Sequence, residues 1–196
     1  PPPPSPPPPG AAKVDEFIEW VLLKGTKSNG KGHIERTQAG RGWNAGAVSK
    51  RAIRQASDTV RGVSAVCSET NRHRMIALNS QSTADSITYK DLDFALYCRS
   101  DGRVRIYEKG RYRNVQKAYG KDAVIQIALN DAGKVEYFLN GLRLMTSDQK
   151  VTYPLHADVS IYEQGASLEN VRWARRVSSP PPPPPPSPPP SPPPPS

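Results

Sequence analysis

Proline is almost missing from the middle of this sequence. Of its 23 prolines, 22 fall within Pro1–Pro9 and Pro180–Pro195, and only Pro154 lies between. Those two terminal stretches lack every charged residue. Cysteine is scarce, with only Cys67 and Cys98, which excludes a disulfide-dense scaffold and a four-cysteine zinc site. The three histidines, His33, His73 and His156, are dispersed, so neither paired zinc ligands nor a Ser-His-Asp triad is indicated. No clustered Asp/Asn loop argues for calcium, and no cofactor is expected. No run is long and apolar enough to span a bilayer as a helix, and no secretory signal peptide is visible. Residues 11–178 contain no Asn-x-Ser/Thr sequon, so N-glycosylation is not expected there. A chain opening on Pro1 is expected to be a processed form, a fragment or a repeat unit.

What is present divides the chain into three parts: an arm at 1–10, a body at 11–178 and an arm at 179–196. Proline fixes φ near −65° and has no N–H, so neither arm can enter a helix or a central strand. Polyproline II remains, a stiff left-handed rod rising about 3.1 Å per residue. The 17 residues from Pro180 to Ser196 then extend roughly 50 Å. The body is long enough for one domain with a sizeable core. It carries the whole net charge of +9. A basic body suits anionic partners, namely nucleic acid, acidic polysaccharide or a membrane surface; the plain alternative is a solvated surface.

Along the body the pattern is β. Val14–Leu23 reads as a first strand, and Lys24–Gly42 as a polar, glycine-rich loop with a short strand near His33–Arg36. Trp43–Val48 opens the next strand. Thr59–Ser68 alternates, with Val63, Ala65 and Cys67 on one face. Arg74–Leu78 is a short strand. Leu92–Cys98 puts Leu92, Phe94, Leu96 and Cys98 on one face and Asp93, Ala95 and Tyr97 on the other. Asp101-Gly102 turns the chain into Arg103–Glu108. Ala123–Leu129, Val135–Leu139 and Leu142–Thr146 follow, the last pair joined by Asn140-Gly141, the strongest short hairpin signal in the sequence. Leu155–Ile161 and Leu168–Trp173 close the set. Ten to twelve short strands without a long helix predict an all-β fold: an antiparallel two-sheet sandwich or jelly roll flanked by polyproline II arms.

VEYFLNG, YPLHADVSIYEQGASLENVRW, GWNAGAVS and DFALYCRSDGRVRIYEKG together resemble the concanavalin A-like lectin/glucanase jelly roll of extracellular proteins. The likeness covers most of the body and implies the fold more than an activity. The arms resemble the Ser-Pro-repeat segments of hydroxyproline-rich glycoproteins, the extensin and pherophorin type of plant and green-algal walls. That resemblance implies secretion to a wall, matrix or ciliary surface, and prolyl hydroxylation with arabinose- or galactose-type O-glycans. The positions implied are Pro2, Pro3, Pro4, Ser5, Pro6, Pro7, Pro8 and Pro9 in the first arm. In the second they are Pro181, Pro182, Pro183, Pro184, Pro185, Pro186, Ser187, Pro188, Pro189, Pro190, Ser191, Pro192, Pro193, Pro194 and Pro195. Cys67 and Cys98 share parity with apolar neighbours and are either two buried thiols or one disulfide; an extracellular setting favours the disulfide.

Catalytic signals are weak. Gly25–Gly32 (GTKSNGKG) misses the P-loop pattern, because Gly32 stands where a Ser or Thr hydroxyl should reach Mg²⁺. Glucanases of the resembling fold carry a Glu-x-Asp-x-(x)-Glu strand motif, which is absent. Asp91 and Asp93 lack a third acid, and Asp15, Glu16 and Glu19 lack the spacing, so no enzyme is expected. The densest basic-aromatic patch holds Arg99, Arg103, Arg105, Arg111 and Arg113 with Tyr107 and Tyr112. Alternation aligns Arg103, Arg105 and Tyr107. Guanidinium groups there suit sulfate or uronate and tyrosines suit sugar rings, so Arg103, Arg105, Tyr107 and Tyr112, with Trp43, are candidate glycan contacts. The plain alternatives are an exposed polar sheet face and, for Trp43 as for Trp20 and Trp173, a core tryptophan.

Two functions compete. The first is a structural subunit of a secreted fibril, wall or coat, self-associating through jelly-roll bodies and glycosylated proline rods. The second is a carbohydrate-binding, lectin-like module with proline-rich linkers and acidic polysaccharide as partner. No nucleic-acid partner and no membrane span is expected.

Overall fold

The computed structural model describes residues 14–81 and 88–175. The proline arms, and with them every proposed hydroxylation and O-glycosylation position, lie outside the described residues. Fifteen strands are present: β1 (Val14–Phe17), β2 (Trp20–Lys24), β3 (Thr26–Ser28), β4 (Ile34–Arg36), β5 (Gly46–Ile53), β6 (Val60–Cys67), β7 (Arg74–Asn79), β8 (Phe94–Cys98), β9 (Arg103–Glu108), β10 (Arg111–Ala118), β11 (Ala123–Leu129), β12 (Val135–Leu139), β13 (Leu142–Thr146), β14 (Leu155–Ile161) and β15 (Ser167–Arg175). They pair antiparallel throughout. One sheet runs β13-β12-β11-β6-β15-β4-β3 with β1 also on β15, and the other runs β10-β9-β8-β7-β14-β5-β2. The expected two-sheet, jelly-roll-like sandwich is what forms.

Alternation explains the core. Val63, Ala65, Ile125, Ile127, Val135 and Tyr137 point inward from the first sheet and meet Ile76, Leu78, Leu96, Val104, Ile106 and Val159 from the second. At roughly 25 cal/mol per Å² of apolar area, this interior is the main stabilising term. Cys67 on β6 and Cys98 on β8 are joined by a disulfide between the two sheets, with Cα atoms 6.7 Å apart. Among the buried charged groups of the described residues, Glu108 faces the space between the sheets. Glu108, inward by the parity of β9, accepts a 2.9 Å hydrogen bond from the Tyr137 hydroxyl. Arg113 reaches its other oxygen from the sheet edge at 3.3 Å. Burial, reinforced by the Glu108 charge, pushes the Tyr137 hydroxyl well above the usual tyrosine range.

Several segments differ from the sequence expectation. Val14–Leu23 is two strands, not one: β1 joins the first sheet on β15, and β2 joins the second on β5. Trp43 precedes β5 rather than opening it, and Asp91 and Leu92 lie before β8, where a short 3-10 turn spans Tyr89–Asp91. Thr26–Ser28, read as loop, pairs with β4. Arg111–Ala118, to which no strand was assigned, is the edge strand β10. The strands β1 and β15 pair antiparallel, Val14 opposite Ala174.

Candidate functional site

The site is built on the outward face of the second sheet. Strand parity sends Met75 and Ala77 of β7, Ala95 and Tyr97 of β8, and Arg103, Arg105 and Tyr107 of β9 away from the core. Register then sets them in rows: Met75 faces Tyr97 and Tyr97 faces Arg105, while Ala77 faces Ala95 and Ala95 faces Tyr107. The tight turn Lys109-Gly110 brings β10 back so that Tyr112 pairs with Tyr107. Gly110 has φ +71°, and a Cβ there would lie 2.8 Å from the Lys90 carbonyl oxygen, so glycine permits both the turn and the close approach of residues 88–92.

Small residues at Ala77 and Ala95 leave room above the sheet, which aromatic rings fill. Leu92 is buried against Met75, Ala77 and Ala95, with Trp43, Tyr89, Tyr97 and Tyr107 packed around it. The indole of Trp43 stands edge-on to Tyr97 at 5.4 Å and tilted to Tyr89 at 5.6 Å and Tyr162 at 5.2 Å. Tyr97 continues to Tyr107 at 5.7 Å, and Tyr107 to Tyr112 at 5.7 Å with planes 35° apart. His73 closes the other end against Tyr97 and Tyr162. These centroid distances lie in the favourable range for aromatic pairs. The result is a continuous band of half-buried rings crossing the sheet from β14 to the edge strand β10.

The guanidinium of Arg105 lies 4.8 Å over the Tyr112 ring and donates through Nε to Gln116 at 3.1 Å. It therefore stands ready at the exposed end of the band. Arg103, same face and exposed, continues the basic row. Arg99 is paired with Asp101 at 3.4 Å, and Arg113 with Glu108 and Asp148, so these two are engaged within the protein. Arg111 is exposed at the start of β10.

Buried arginines position the loops that carry Trp43 and His73. Arg36, 1 % exposed, donates to the carbonyls of Gln38, Gly42 and Ile161 and so ties the segment before Trp43 to β14. Arg74 donates to the carbonyls of Glu69 and Arg72, and the Tyr119 hydroxyl is shared between the carbonyls of Glu69 and Arg99. The His73 backbone N–H donates to Glu163 at 2.8 Å, and its Nε2 meets the Ser100 hydroxyl at 3.0 Å. Burial holds the His73 imidazolium below the ordinary histidine range despite the opposing pull of Glu163. Burial likewise pushes the Tyr97 hydroxyl up to about 12, with Arg99 pulling the other way. A polar cleft of about 420 Å³ lined by Arg41, Asn71, Arg72, Glu163 and Gln164 borders this end of the band.

In sequence the chain matches no protein-family model and none of the curated proteins. Solved structures do match in fold. A human SPRY domain aligns with 14 % identity over 78 % of this chain and 96 % of its own, at a TM-score of 0.58. The carbohydrate recognition domain of Emp46p aligns with 9 % identity over 81 % of this chain and 89 % of its own, at 0.57. That of Emp47p gives 12 % identity over 84 % and 91 %, at 0.53. At such identities the likeness establishes a concanavalin A-like jelly-roll fold and nothing of the site.

Of the residues singled out from sequence, the structure brings Arg105, Tyr107 and Tyr112 into direct contact, sets Arg103 beside them on one face, and joins Trp43 through Tyr97. Trp43 is half-buried on the outer face, whereas Trp173 is a core residue as expected. Sequence reasoning missed Tyr89, Tyr97, Tyr162 and His73. Tyr97 was legible, since its parity in DFALYC opposes the core. Asp91 and Asp93 line a separate cleft of about 370 Å³, with Lys90, Lys109 and Lys150 around them. One Asp93 oxygen accepts from both the Ser80 N–H and hydroxyl.

Proposed function

We propose that the body is a carbohydrate-binding, lectin-like module that binds without turnover, and that its sugar contact is the outward aromatic–guanidinium face. The observation that carries this reading is the Tyr107–Tyr112 pair at 5.7 Å with Arg105 at its exposed end. Flat rings at a sheet edge offer a platform for a sugar's apolar face. A planar guanidinium beside them can grip a uronate or sulfate through two parallel hydrogen bonds. Arg103 and the net charge of +9 extend the preference for acidic saccharides. Fold neighbours titled carbohydrate recognition domains support it as precedent for the scaffold. The test is titration of the chain with oligogalacturonate, with Arg105→Ala and Tyr112→Ala as variants. Each substitution should weaken binding by roughly tenfold or more, the value of one charge-assisted contact or one aromatic platform. Absence of binding at millimolar oligosaccharide, or binding indifferent to both substitutions, overturns the reading.

A second reading is the secreted fibril or coat subunit. What supports it is the pairing of Val14 with Ala174, which brings the first and last described strands of the body together. The inter-sheet disulfide agrees with an oxidising, extracellular setting. Mass spectrometry of Pro1–Pro9 and Pro180–Ser196 in the native chain tests it. Single-oxygen, pentose and hexose increments favour the hydroxyproline-glycoprotein assignment, and unmodified arms sink it.

A further inference from the structure

Exposed large apolar side chains are not scattered over this body. Among the described residues there are six, and four of them, Phe17, Val21, Leu22 and Leu23, fall within seven positions. This stretch crosses from β1 in one sheet to β2 at the free edge of the other. Beneath it is a groove of about 270 Å³ lined by Phe17, Ile18, Trp20 and Leu23, with Glu19, Ser28 and Gly30 completing the lining. A clustered apolar surface of this kind marks an interaction site more often than a single exposed leucine does.

The groove is built, and at a local cost. In a regular strand, residues three apart point to opposite faces, so Trp20 and Leu23 should not line one groove. Leu22 adopts φ +49°, a left-handed conformation costing a branched residue about 1–2 kcal/mol, and the register of β2 against β5 shifts there. That bulge brings Leu23 round to the side of Trp20. The Phe17 ring is held as the other wall. Arg172 lies 4.0 Å over it, and Gly32 faces it where a Cβ would lie 2.5 Å from the ring. Trp20 is 8 % exposed, yet its indole N–H has no acceptor among the described residues.

We propose that this groove receives the proline-rich segment 180–196 of a second copy of this chain. That segment is uncharged, fourteen prolines with three serines, a composition that favours polyproline II, whose carbonyls stay free of internal hydrogen bonds. Polyproline II docks in aromatic-lined grooves at low entropic cost, and Phe17 and Trp20 supply the aromatic walls here. The segment comes from another copy because of where it starts. Strands β1 and β15 are antiparallel, Phe17 opposite Arg172 and Val14 opposite Ala174, so β15 itself runs away from the groove toward Arg175. Residues 176–179 reach at most about 14 Å before the stiff rod begins, and a rod of roughly 50 Å does not double back. This proposal is independent of the saccharide reading, which uses another sheet face.

The test uses the full chain in sedimentation velocity from micromolar to millimolar concentration, and ¹H–¹⁵N spectra of the three indole N–H groups on adding a synthetic peptide of residues 179–196. Concentration-dependent association is expected, with a shift of the Trp20 indole signal. Leu23→Glu, at a site 43 % exposed, should weaken both by about tenfold or more while leaving the fold intact. A full-length chain whose prolines at 180–195 are replaced by Gly and Ser should not self-associate, yet should still bind the wild-type chain. A monomeric wild-type chain with no peptide-induced shift overturns the proposal. So does association that survives Leu23→Glu, or self-association of the variant lacking prolines 180–195, which would mean a contact through the body or through Pro1–Pro9.

Discussion

Replacing Cys67 and Cys98 together by alanine should destabilise the body by an amount that can be worked out beforehand. The bridge closes a segment of 31 residues that includes the whole of β7, and it ties the end of β6 in one sheet to the end of β8 in the other. The loop-closure relation gives about 3.7 kcal/mol for a loop of that length at room temperature. Both sulfurs are fully buried in the core, so truncation also leaves small voids, and the total expected is about 3–5 kcal/mol. For a domain of this size that corresponds to a fall in Tm of roughly 10 °C. Urea unfolding followed by tryptophan fluorescence measures it, against wild-type protein shown by mass to be oxidised. The slope with urea should rise as well, because the uncrosslinked chain exposes more surface on unfolding. A loss below about 1 kcal/mol would refute the reasoning, since it would mean that the bridge constrains neither the unfolded chain nor the sandwich.

Three further outcomes follow from named groups. Tyr137→Phe removes the 2.9 Å hydrogen bond to the buried Glu108 carboxylate and should cost about 2–3 kcal/mol in the same unfolding assay; a change within error would mean Glu108 is satisfied without it. Tyr97, held protonated up to about 12, should stay un-ionised while exposed tyrosines titrate. Its contribution to stability is full below the unfolded tyrosine value near 10 and is lost as the pH climbs from there toward 12, which absorbance at alkaline pH resolves by comparison with Tyr97→Phe. His73 has the opposite window. Its lowered folded pKa means that stability is present above the unfolded value near 6.5 and falls as the pH drops below it, so its imidazole resonance should titrate later than a free histidine's on acidification.

Much of this was legible in the residues. The alternation of Ala123–Leu129 and Val135–Leu139 and the Asn140-Gly141 turn define a hairpin whose strands match the expectation residue for residue. Parity narrows the register of β8 on β9. A two-residue turn at Asp101-Gly102 would set outward Tyr97 against inward Ile106, whereas the loop that forms pairs Tyr97 with Arg105. What escaped has physical causes. Edge strand β10 has few inward apolar residues, so its pattern reads as loop; only the Lys109-Gly110 turn betrays it. The split of Val14–Leu23 between two sheets depends on partners distant in sequence. The aromatic band joins Trp43, Tyr89 and Tyr162 from three separate loops, which no local period connects.

The most direct measurement is a glycan array probed with the full-length chain, spanning neutral, uronic-acid and sulfated saccharides at two salt concentrations. The account predicts retention on the acidic saccharides, weakened by salt and lost when Tyr107 and Tyr112 are both replaced by alanine. Retention on none of them, or retention that the double substitution leaves untouched, would contradict it.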